Sequence, residues 1–99
     1  MMKNTLFFVY ILYSPNLDRY YIGQTEDAER RLVEHNMHYF EKSSTRIAND
    51  WGLYLSIPCI SREQSVRVET HIKKSKSRVY LENLKKHPGI IEKLMVKYQ

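Results

Sequence analysis

The sequence contains very little cysteine, glycine and proline, and it has no long hydrophobic run. Cys59 is the single cysteine, which excludes an internal disulfide and zinc sites built on several cysteines. The three glycines are far apart, which excludes the glycine-rich loops that bind nucleotide phosphates. The longest apolar run, Leu6 to Tyr13, is far shorter than the ~20 residues that cross a bilayer. Met1-Met2-Lys3 begins no signal peptide, so we expect a cytoplasmic protein that does not enter membranes.

The length and the charge distribution limit the class of protein. A chain of 99 residues predicts one domain, spanning 1–99, because compact domains commonly have about 100–150 residues. Hydrophobic residues make up 42% of the chain, a value typical of a globular protein rather than a disordered one. Residues 1–50 carry six basic and seven acidic side chains, whereas residues 51–99 carry ten basic and four acidic ones. The net charge of +6 in the second half indicates a polyanionic partner, although many small basic domains bind no nucleic acid.

The first third of the chain predicts a β-hairpin followed by a helix. Residues 6–13 are apolar at odd- and even-numbered positions alike, which predicts a central strand buried on both faces of the sheet. Turn-forming residues at 14–18 lead to a second strand over 19–23, giving a hairpin with a five-residue loop. Thr25 is expected to cap the following helix, whose inner stripe contains Ala28, Leu32 and then His35 or Asn36.

The remainder predicts one more strand and several helices. The hydrophobic residues in 39–50 show no helical or strand periodicity, so this segment is predicted to be a loop. Residues 51–57 predict a third strand that ends at Pro58. Ser61-Arg62-Glu63-Gln64 is a capping box, so a helix should begin at Arg62. A further helix is expected through Leu81 and Leu84, and another over about 88–98. We therefore predict a small α/β (α+β) domain with a three-stranded, mostly antiparallel sheet flanked by helices, in the order β-β-α-β-α-α(-α).

Four polar side chains in the first half are candidates for chemistry. Tyr10 and Tyr21 can meet on one face of the hairpin, where tyrosines most often pack but can also donate to a phosphate. Arg31 and His35 share one face of the predicted helix. They are either a solvent-exposed pair, or Arg31 turns partly toward the sheet, where it can bind a phosphate through two donors. His35 and His38, three residues apart, are expected to face solvent rather than to bind a metal.

The second half contains one notable carboxylate and a basic cluster. Glu69 borders an apolar helical stripe, and such a carboxylate is usually paired or binds a cation. Lys73, four residues later, makes a salt bridge the simpler explanation. Four positive charges between 73 and 78 either form a solvated helix end or contact a phosphate backbone. The members of this cluster are Lys73, Lys74, Lys76 and Arg78.

The order of these residues is more specific than any one of them. Val9-Tyr10-Ile11 is followed by Tyr21-Ile22-Gly23-Gln24-Thr25, then by Arg31-Leu32 and His35-Asn36, and later by Trp51 and Glu69. This order resembles the GIY-YIG nuclease family over about residues 6–84. The likeness is to small stand-alone bacterial members, which are similar to the N-terminal catalytic domain of the excision-repair nuclease subunit. Val9 stands where the family name has glycine, Gln24 stands at a position that is basic in some members, and Asn83 is the nearest counterpart of a late asparagine.

The resemblance implies a role for each matching residue. Glu69 would be the protein ligand of one divalent cation, Mg²⁺ or Mn²⁺. Tyr10 would position or deprotonate the attacking water, and Tyr21 would touch the scissile phosphate or that water. Arg31 would stabilise charge on the phosphate, with His35 assisting the tyrosine or the phosphate. Gly23 would let the backbone approach closely at the strand end.

The resemblance also implies a reaction and a class of substrate. We expect a metal-dependent endonuclease that cuts DNA, with branched or damaged DNA and RNA left open as substrates and DNA repair as the expected setting. The basic cluster would contact the nucleic acid. The alternatives are a nucleic-acid-binding module without catalysis and a subunit of a repair complex on the same scaffold. A core of this size has little surface for recognising a target sequence.

Overall fold

The computed structural model describes residues 7–37 and 48–99, which form three strands and four helices. The order β-β-α-β-α-α-α confirms the predicted α+β fold. Position 6 of the predicted first strand, His38 and most of the predicted 39–50 loop lie outside the described residues. The elements are β1 (Phe7–Ser14), β2 (Arg19–Thr25), α1 (Ala28–Asn36), β3 (Gly52–Cys59), α2 (Arg62–Ser75), α3 (Arg78–Lys86) and α4 (Pro88–Lys97).

The three strands form one antiparallel sheet in the order β2-β1-β3. β1 is the central strand, which confirms the prediction from its apolar residues on both faces. Val9, Ile11 and Leu12 of β1 are fully buried. Tyr10 lies opposite Gly23, and Leu12 lies opposite Tyr21. Because side chains alternate across a strand, this register places Tyr10 and Tyr21 on the same face of the sheet.

Each face of the sheet has its own core. On one face, Val9 and Ile11 pack against the helices that follow β3, with Val68 and Leu84 among their buried neighbours. On the other face, the buried cluster is smaller and consists of Tyr10, Leu12, Ala28, Ala48 and Trp51. Tyr10 is therefore a core residue of the smaller cluster as well as a candidate for chemistry.

Three predicted boundaries are wrong. β3 continues through Pro58 to Cys59, because β3 is an edge strand, where a residue without an N–H is tolerated. The N-cap of α1 is Asp27, whose carboxylate accepts from the Arg30 N–H at 3.1 Å. Thr25 instead ends β2, and its hydroxyl oxygen accepts from the Asp27 N–H. The β1–β2 loop is also one residue shorter than predicted, with residues 15–18 between the strands.

The capping box before α2 is confirmed. The Ser61 hydroxyl accepts from the Gln64 N–H at 3.0 Å, and α2 begins at Arg62. The side-chain oxygen of Gln64 accepts from the Ile60 N–H at 2.8 Å rather than from Ser61. The serine thus satisfies a backbone donor that the first helical turn leaves without a partner, and the glutamine satisfies a donor just before the helix.

A contact between distant segments ties the β1–β2 loop to α3. Asp18 has a left-handed backbone with φ of 52°, and its carboxylate accepts two bonds from Arg78 at 2.9 and 2.8 Å. The Tyr13 hydroxyl donates to the same carboxylate at 2.6 Å. The Arg78 guanidinium also lies over the Tyr20 ring, 5.4 Å from its centroid. Across 7–37 and 48–99, no helix is long and apolar enough to span a membrane.

Candidate active site

Tyr10 and His35 form the buried centre of the site. The phenol oxygen of Tyr10 lies 3.0 Å from Nε2 of His35, and the two residues are 3% and 2% exposed. The donor in this hydrogen bond depends on the tautomer of His35, since either the phenol or the ring N–H can donate. The prediction that His35 faces solvent is wrong, because α1 turns this side of the helix toward the sheet and Trp51.

Asn36 fixes the end of α1 and thereby the position of His35. Its side-chain N–H donates to the Trp51 carbonyl at 2.8 Å, and its oxygen accepts from the Trp51 N–H at 2.7 Å. A primary amide can make this paired contact because it carries a donor and an acceptor. The sequence places Asn36 on the inner stripe of α1 and next to His35 in the motif, and it predicts no further role for Asn36.

Tyr21 completes an aromatic group around Tyr10. Its ring centroid lies 4.8 Å from that of His35 and 6.2 Å from that of Tyr10. Opposite Tyr10 in the sheet, a Cβ added to Gly23 would lie 2.6 Å from the Tyr10 hydroxyl oxygen. The missing side chain of Gly23 therefore makes room for the phenol of Tyr10.

Arg31 projects from α1 and is held by two neighbours. Its Nε donates to the Thr25 hydroxyl at 3.3 Å, and a terminal nitrogen lies 3.7 Å from Glu34 Oε1. The Arg31 side chain is 41% exposed, so a phosphate can reach it from solvent. Sequence reasoning missed Glu34, whose signal is its spacing of three from Arg31 and four from Arg30. Glu34 Oε1 is buried and has no hydrogen-bond partner in the described part of the chain.

Glu69 lies on α2 with its side chain 17% exposed. Its carboxylate forms the salt bridge that the sequence favoured, at 2.9 Å from Lys73 Nζ. Burial and the charge of Tyr21 raise the pKa of Tyr10, and the negative charge of Glu69 raises it further. Asn83 lies on α3, and Gln24 accepts from the Ser65 hydroxyl at 3.4 Å.

The electrostatics of the centre favour neutral rings. Burial is the main cause that raises the pKa of Tyr10 well above 10, and the charges of Tyr21 and Glu69 raise it further. Arg31 opposes this by lowering the Tyr10 pKa. Burial, followed by the positive charge of Arg31, lowers the pKa of His35 below its ordinary value. At neutral pH, the phenol is therefore protonated and the imidazole uncharged.

Glu69 offers a carboxylate that could bind a divalent cation. No group of three or more His, Cys, Asp or Glu side chains within 7–37 and 48–99 could enclose a metal ion. Mg²⁺ retains several waters and is commonly held by one or two carboxylates together with substrate phosphates. A partly exposed Glu69 carboxylate fits that donor chemistry, provided that Lys73 shares or releases it.

The four residues of the basic cluster differ in their surroundings. Lys73 pairs with Glu69, and Arg78 is held by Asp18. Lys74 and Lys76 are exposed, on the last turn and at the left-handed C-cap of α2. The cluster is therefore divided between two structural ion pairs and two solvent-facing lysines.

Comparison with protein families gives a match over most of the chain. A family model described as the GIY-YIG catalytic domain matches residues 6–84 of the 99. No curated protein and no solved structure matches the chain. The family is one of endonucleases, which implies a nucleic-acid substrate. Since the match covers most of the chain, from β1 through α2 and into α3, this protein belongs to the GIY-YIG nuclease family.

Proposed function

We propose that this protein is a metal-dependent endonuclease that hydrolyses phosphodiester bonds in DNA. The observation that carries the proposal is the contact of Tyr10 with His35, at a point where the charges of Arg31 and Glu69 both act on the phenol. Phosphodiester hydrolysis needs a positioned water, positive charge near the phosphate and a carboxylate that can bind a cation. These side chains, with Tyr21, are chemically suited to each of those tasks.

Tyr10 is assigned to the attacking water. Because burial keeps the phenol protonated, its oxygen can accept from a water while its hydrogen bond with His35 fixes its direction. Nε2 of the neutral His35 imidazole can accept the phenol hydrogen, which leaves the lone pairs of the phenol oxygen for the water. Burial, Tyr21 and Glu69 all raise the Tyr10 pKa, so a cation that offsets the charge of Glu69 would lower that pKa and make the phenolate easier to form.

Tyr21 and Arg31 are assigned to the phosphate. Arg31 is partly exposed and carries a planar set of donors that matches phosphate oxygens. Its bond to Thr25 and its ion pair with Glu34 restrict the guanidinium before the substrate arrives. Tyr21, beside both Tyr10 and His35, can donate its hydroxyl to the same phosphate or to the water.

Glu69 is assigned as the protein ligand of one Mg²⁺ or Mn²⁺. When bound, the cation would supply positive charge to the phosphate and leaving oxygens. The basic cluster after Glu69 would follow the DNA backbone. Branched DNA, damaged DNA and RNA stay open as substrates, and a role in DNA repair and a cytoplasmic location stay predictions.

The test compares matched variants on plasmid, linear and branched DNA with Mg²⁺, Mn²⁺ or a chelator. Tyr10→Phe should lower the cleavage rate by about 100-fold or more, the lower range for loss of a general acid or base. Tyr98→Phe is its control, because the Tyr98 hydroxyl makes a similar bond to His71 at 2.9 Å, away from the site. Glu69→Gln should abolish metal-dependent cutting, with Glu92→Gln as the control for charge on an exposed helix.

The alternative is a nucleic-acid-binding module without catalysis. It predicts salt-dependent DNA binding that is equal in the wild type and in Glu69→Gln, with no cutting in any metal. That result would replace the nuclease proposal. Cutting that survives Glu69→Gln would instead refute the assignment of the cation ligand.

A further inference from the structure

A further arginine lies on the same face of β2 as Tyr21. Side chains alternate across a strand, so Arg19 shares a face with Tyr21, which is two residues along β2. Tyr20, between them, packs on the opposite face, where its ring centroid lies 5.1 Å from that of Tyr54. The Tyr21 ring lies 4.8 Å from that of His35. Arg19 is therefore on the side of the sheet that carries the candidate active site.

Arg19 lies at the open end of this face. β2 is an edge strand, and burial along the face decreases from Thr25, which is 8% exposed, through the half-buried Tyr21 to the exposed Arg19. A strand advances by about 3.3 Å per residue, so the backbones of Arg19 and Tyr21 are about 7 Å apart. Neighbouring phosphates of one nucleic-acid strand have a similar separation. A strand that runs along β2 with one phosphate at Tyr21 therefore brings the next phosphate within reach of Arg19.

The charge of Arg19 is not neutralised by a protein partner in the described ranges. Within 7–37 and 48–99, Arg19 makes no hydrogen bond and no ion pair. The adjacent carboxylate of Asp18 is bound by Arg78 at 2.9 and 2.8 Å. Arg19 lies opposite Ser14 in the sheet, and the Ser14 hydroxyl donates to Asp50 at 2.6 Å. Both nearby carboxylates are thus held by other donors, and Arg19 keeps its donors for a ligand.

We propose that Arg19 binds the phosphate next to the one that is cut, so that the cleaved strand runs along β2 between Arg31 and Arg19. Arg31 is bonded to Thr25 at the buried end of this face, and Tyr21 lies between the two arginines. A guanidinium suits this contact because its planar donors match phosphate oxygens. The proposal rests on the proposed nuclease function. It adds a phosphate contact on the face of the candidate active site, apart from the basic cluster of α2 and α3.

The contact is tested by DNA binding with a chelator present, so that no strand is cut. Affinities of the wild type, Arg19→Gln and Arg67→Gln for a short fluorescein-labelled duplex are measured by anisotropy over a range of salt concentrations. Arg19→Gln should reduce the slope of log affinity against log salt by about 1, the value for one lost phosphate contact. Arg67→Gln removes the same charge from an exposed position on α2, which packs on the other face of the sheet, and should leave the slope unchanged. A slope that falls equally in both variants, or in neither, overturns the proposal.

A second measurement locates the phosphate that Arg19 binds. The cleavage position is mapped with Mg²⁺, and a neutral methylphosphonate linkage is then placed one step to the 5′ side or one step to the 3′ side of it. With chelator present, one of these two duplexes should bind the wild type about two- to fivefold more weakly than the unmodified duplex, the range for one exposed ion pair. Arg19→Gln should bind that duplex and the unmodified one equally well. If Arg19→Gln and the wild type lose the same factor with each linkage, the neighbouring phosphate is not the partner of Arg19.

Thermal unfolding separates DNA binding from a structural role of Arg19. Arg19→Gln should have the same Tm as Arg67→Gln, because both remove an exposed side chain without a described partner. If Arg19 instead stabilises the Asp50 carboxylate across Ser14, Arg19→Gln should lower Tm and leave the salt slope unchanged. That result overturns the proposal.

Cleavage by the wild type separates failure of this inference from failure of the proposed function. If the wild type cuts DNA with Mg²⁺ or Mn²⁺ and the salt slope of Arg19→Gln is unchanged, the Arg19 contact alone is refuted. If neither metal supports cutting and the slope still falls by about 1 in Arg19→Gln, the nuclease function is refuted. The placement of the contact beside a cut then fails with it, while the binding of DNA by Arg19 stands.

Discussion

Gly23→Ala tests whether the space above Tyr10 is required by the site. The added Cβ would lie 2.6 Å from the Tyr10 hydroxyl oxygen, 2.7 Å from Cζ and 2.9 Å from Cε1. Nonbonded atoms pack best at about 3.5–4.0 Å, so the ring must move by roughly 1 Å. Tyr10 is 3% exposed and is bonded to His35 at 3.0 Å, so the ring cannot move without disturbing that contact.

The expected cost of Gly23→Ala combines two effects. Overpacking a well-filled core costs about 1–3 kcal/mol, and loss of the Tyr10–His35 hydrogen bond costs about 1 kcal/mol more. For a domain of this size, each kcal/mol lowers Tm by about 4–8 °C. A misplacement of about 1 Å in a catalytic group lowers the rate on the order of 100-fold. Thermal unfolding followed by circular dichroism and the DNA cleavage rate measure the two effects separately.

The other two glycines provide matched controls. A Cβ on Gly52 would have its nearest neighbour at 3.9 Å, the backbone oxygen of Tyr13, and one on Gly89 would meet nothing within 4 Å. None of the three glycines has a positive φ, so backbone strain does not differ among them. Gly52→Ala and Gly89→Ala should therefore leave stability unchanged or raise it by about 0.4–1 kcal/mol. If Gly23→Ala melts with these controls and cuts DNA at the wild-type rate, the steric explanation is refuted.

Three further predictions concern pH and local hydrogen bonds. Because the pKa of His35 is lowered in the folded protein, His35 contributes to stability above about pH 6.5, and this contribution is lost as the pH falls. The Tm of His35→Gln should therefore vary less with pH than the Tm of the wild type between about pH 7.5 and pH 5. Hydrogen bonds, first from Arg78, lower the pKa of Asp18. Asp18→Asn should therefore lower Tm at neutral pH, and the difference in Tm between Asp18→Asn and the wild type should disappear below about pH 3.9. A difference in Tm that stays constant with pH would show that the charge of Asp18 is not the cause. Asn36→Ala removes both bonds to the buried Trp51 backbone and should cost about 2 kcal/mol in urea unfolding, at about 1 kcal/mol for each bond.

The elements of the fold follow from local patterns that the sequence displays. A strand that is apolar at successive positions, such as β1, is predicted to be central from its own residues, because a central strand is covered on both faces of the sheet. The capping box at Ser61 depends on residues three apart, so it forms with little help from distant segments. The motif order identified the family for the same reason, since it is a property of the chain itself.

The errors arose where a distant segment decides between two local choices. Thr25 and Asp27 are both good helix caps, and pairing of β2 with β1 keeps Thr25 in the strand. Pro58 normally ends a strand, and the strand order alone makes it an edge residue. His35 lies on the helix face that the sequence assigned to the core, but histidine is also common on exposed faces, and packing of α1 against the sheet decides that it is buried.

The few glycines also show the difference between what the sequence alone predicts and what depends on the tertiary structure. By itself, the sequence determined the order of the elements, the family motif and the concentration of positive charge in the second half. Only the tertiary structure decided that Gly23 makes room for Tyr10, that burial raises the pKa of that phenol and that Arg78, unlike Arg19, is bound by Asp18. The physical reason is range: propensities and caps act over a few residues, whereas burial, pKa and ion pairing depend on atoms that meet only when distant segments pack.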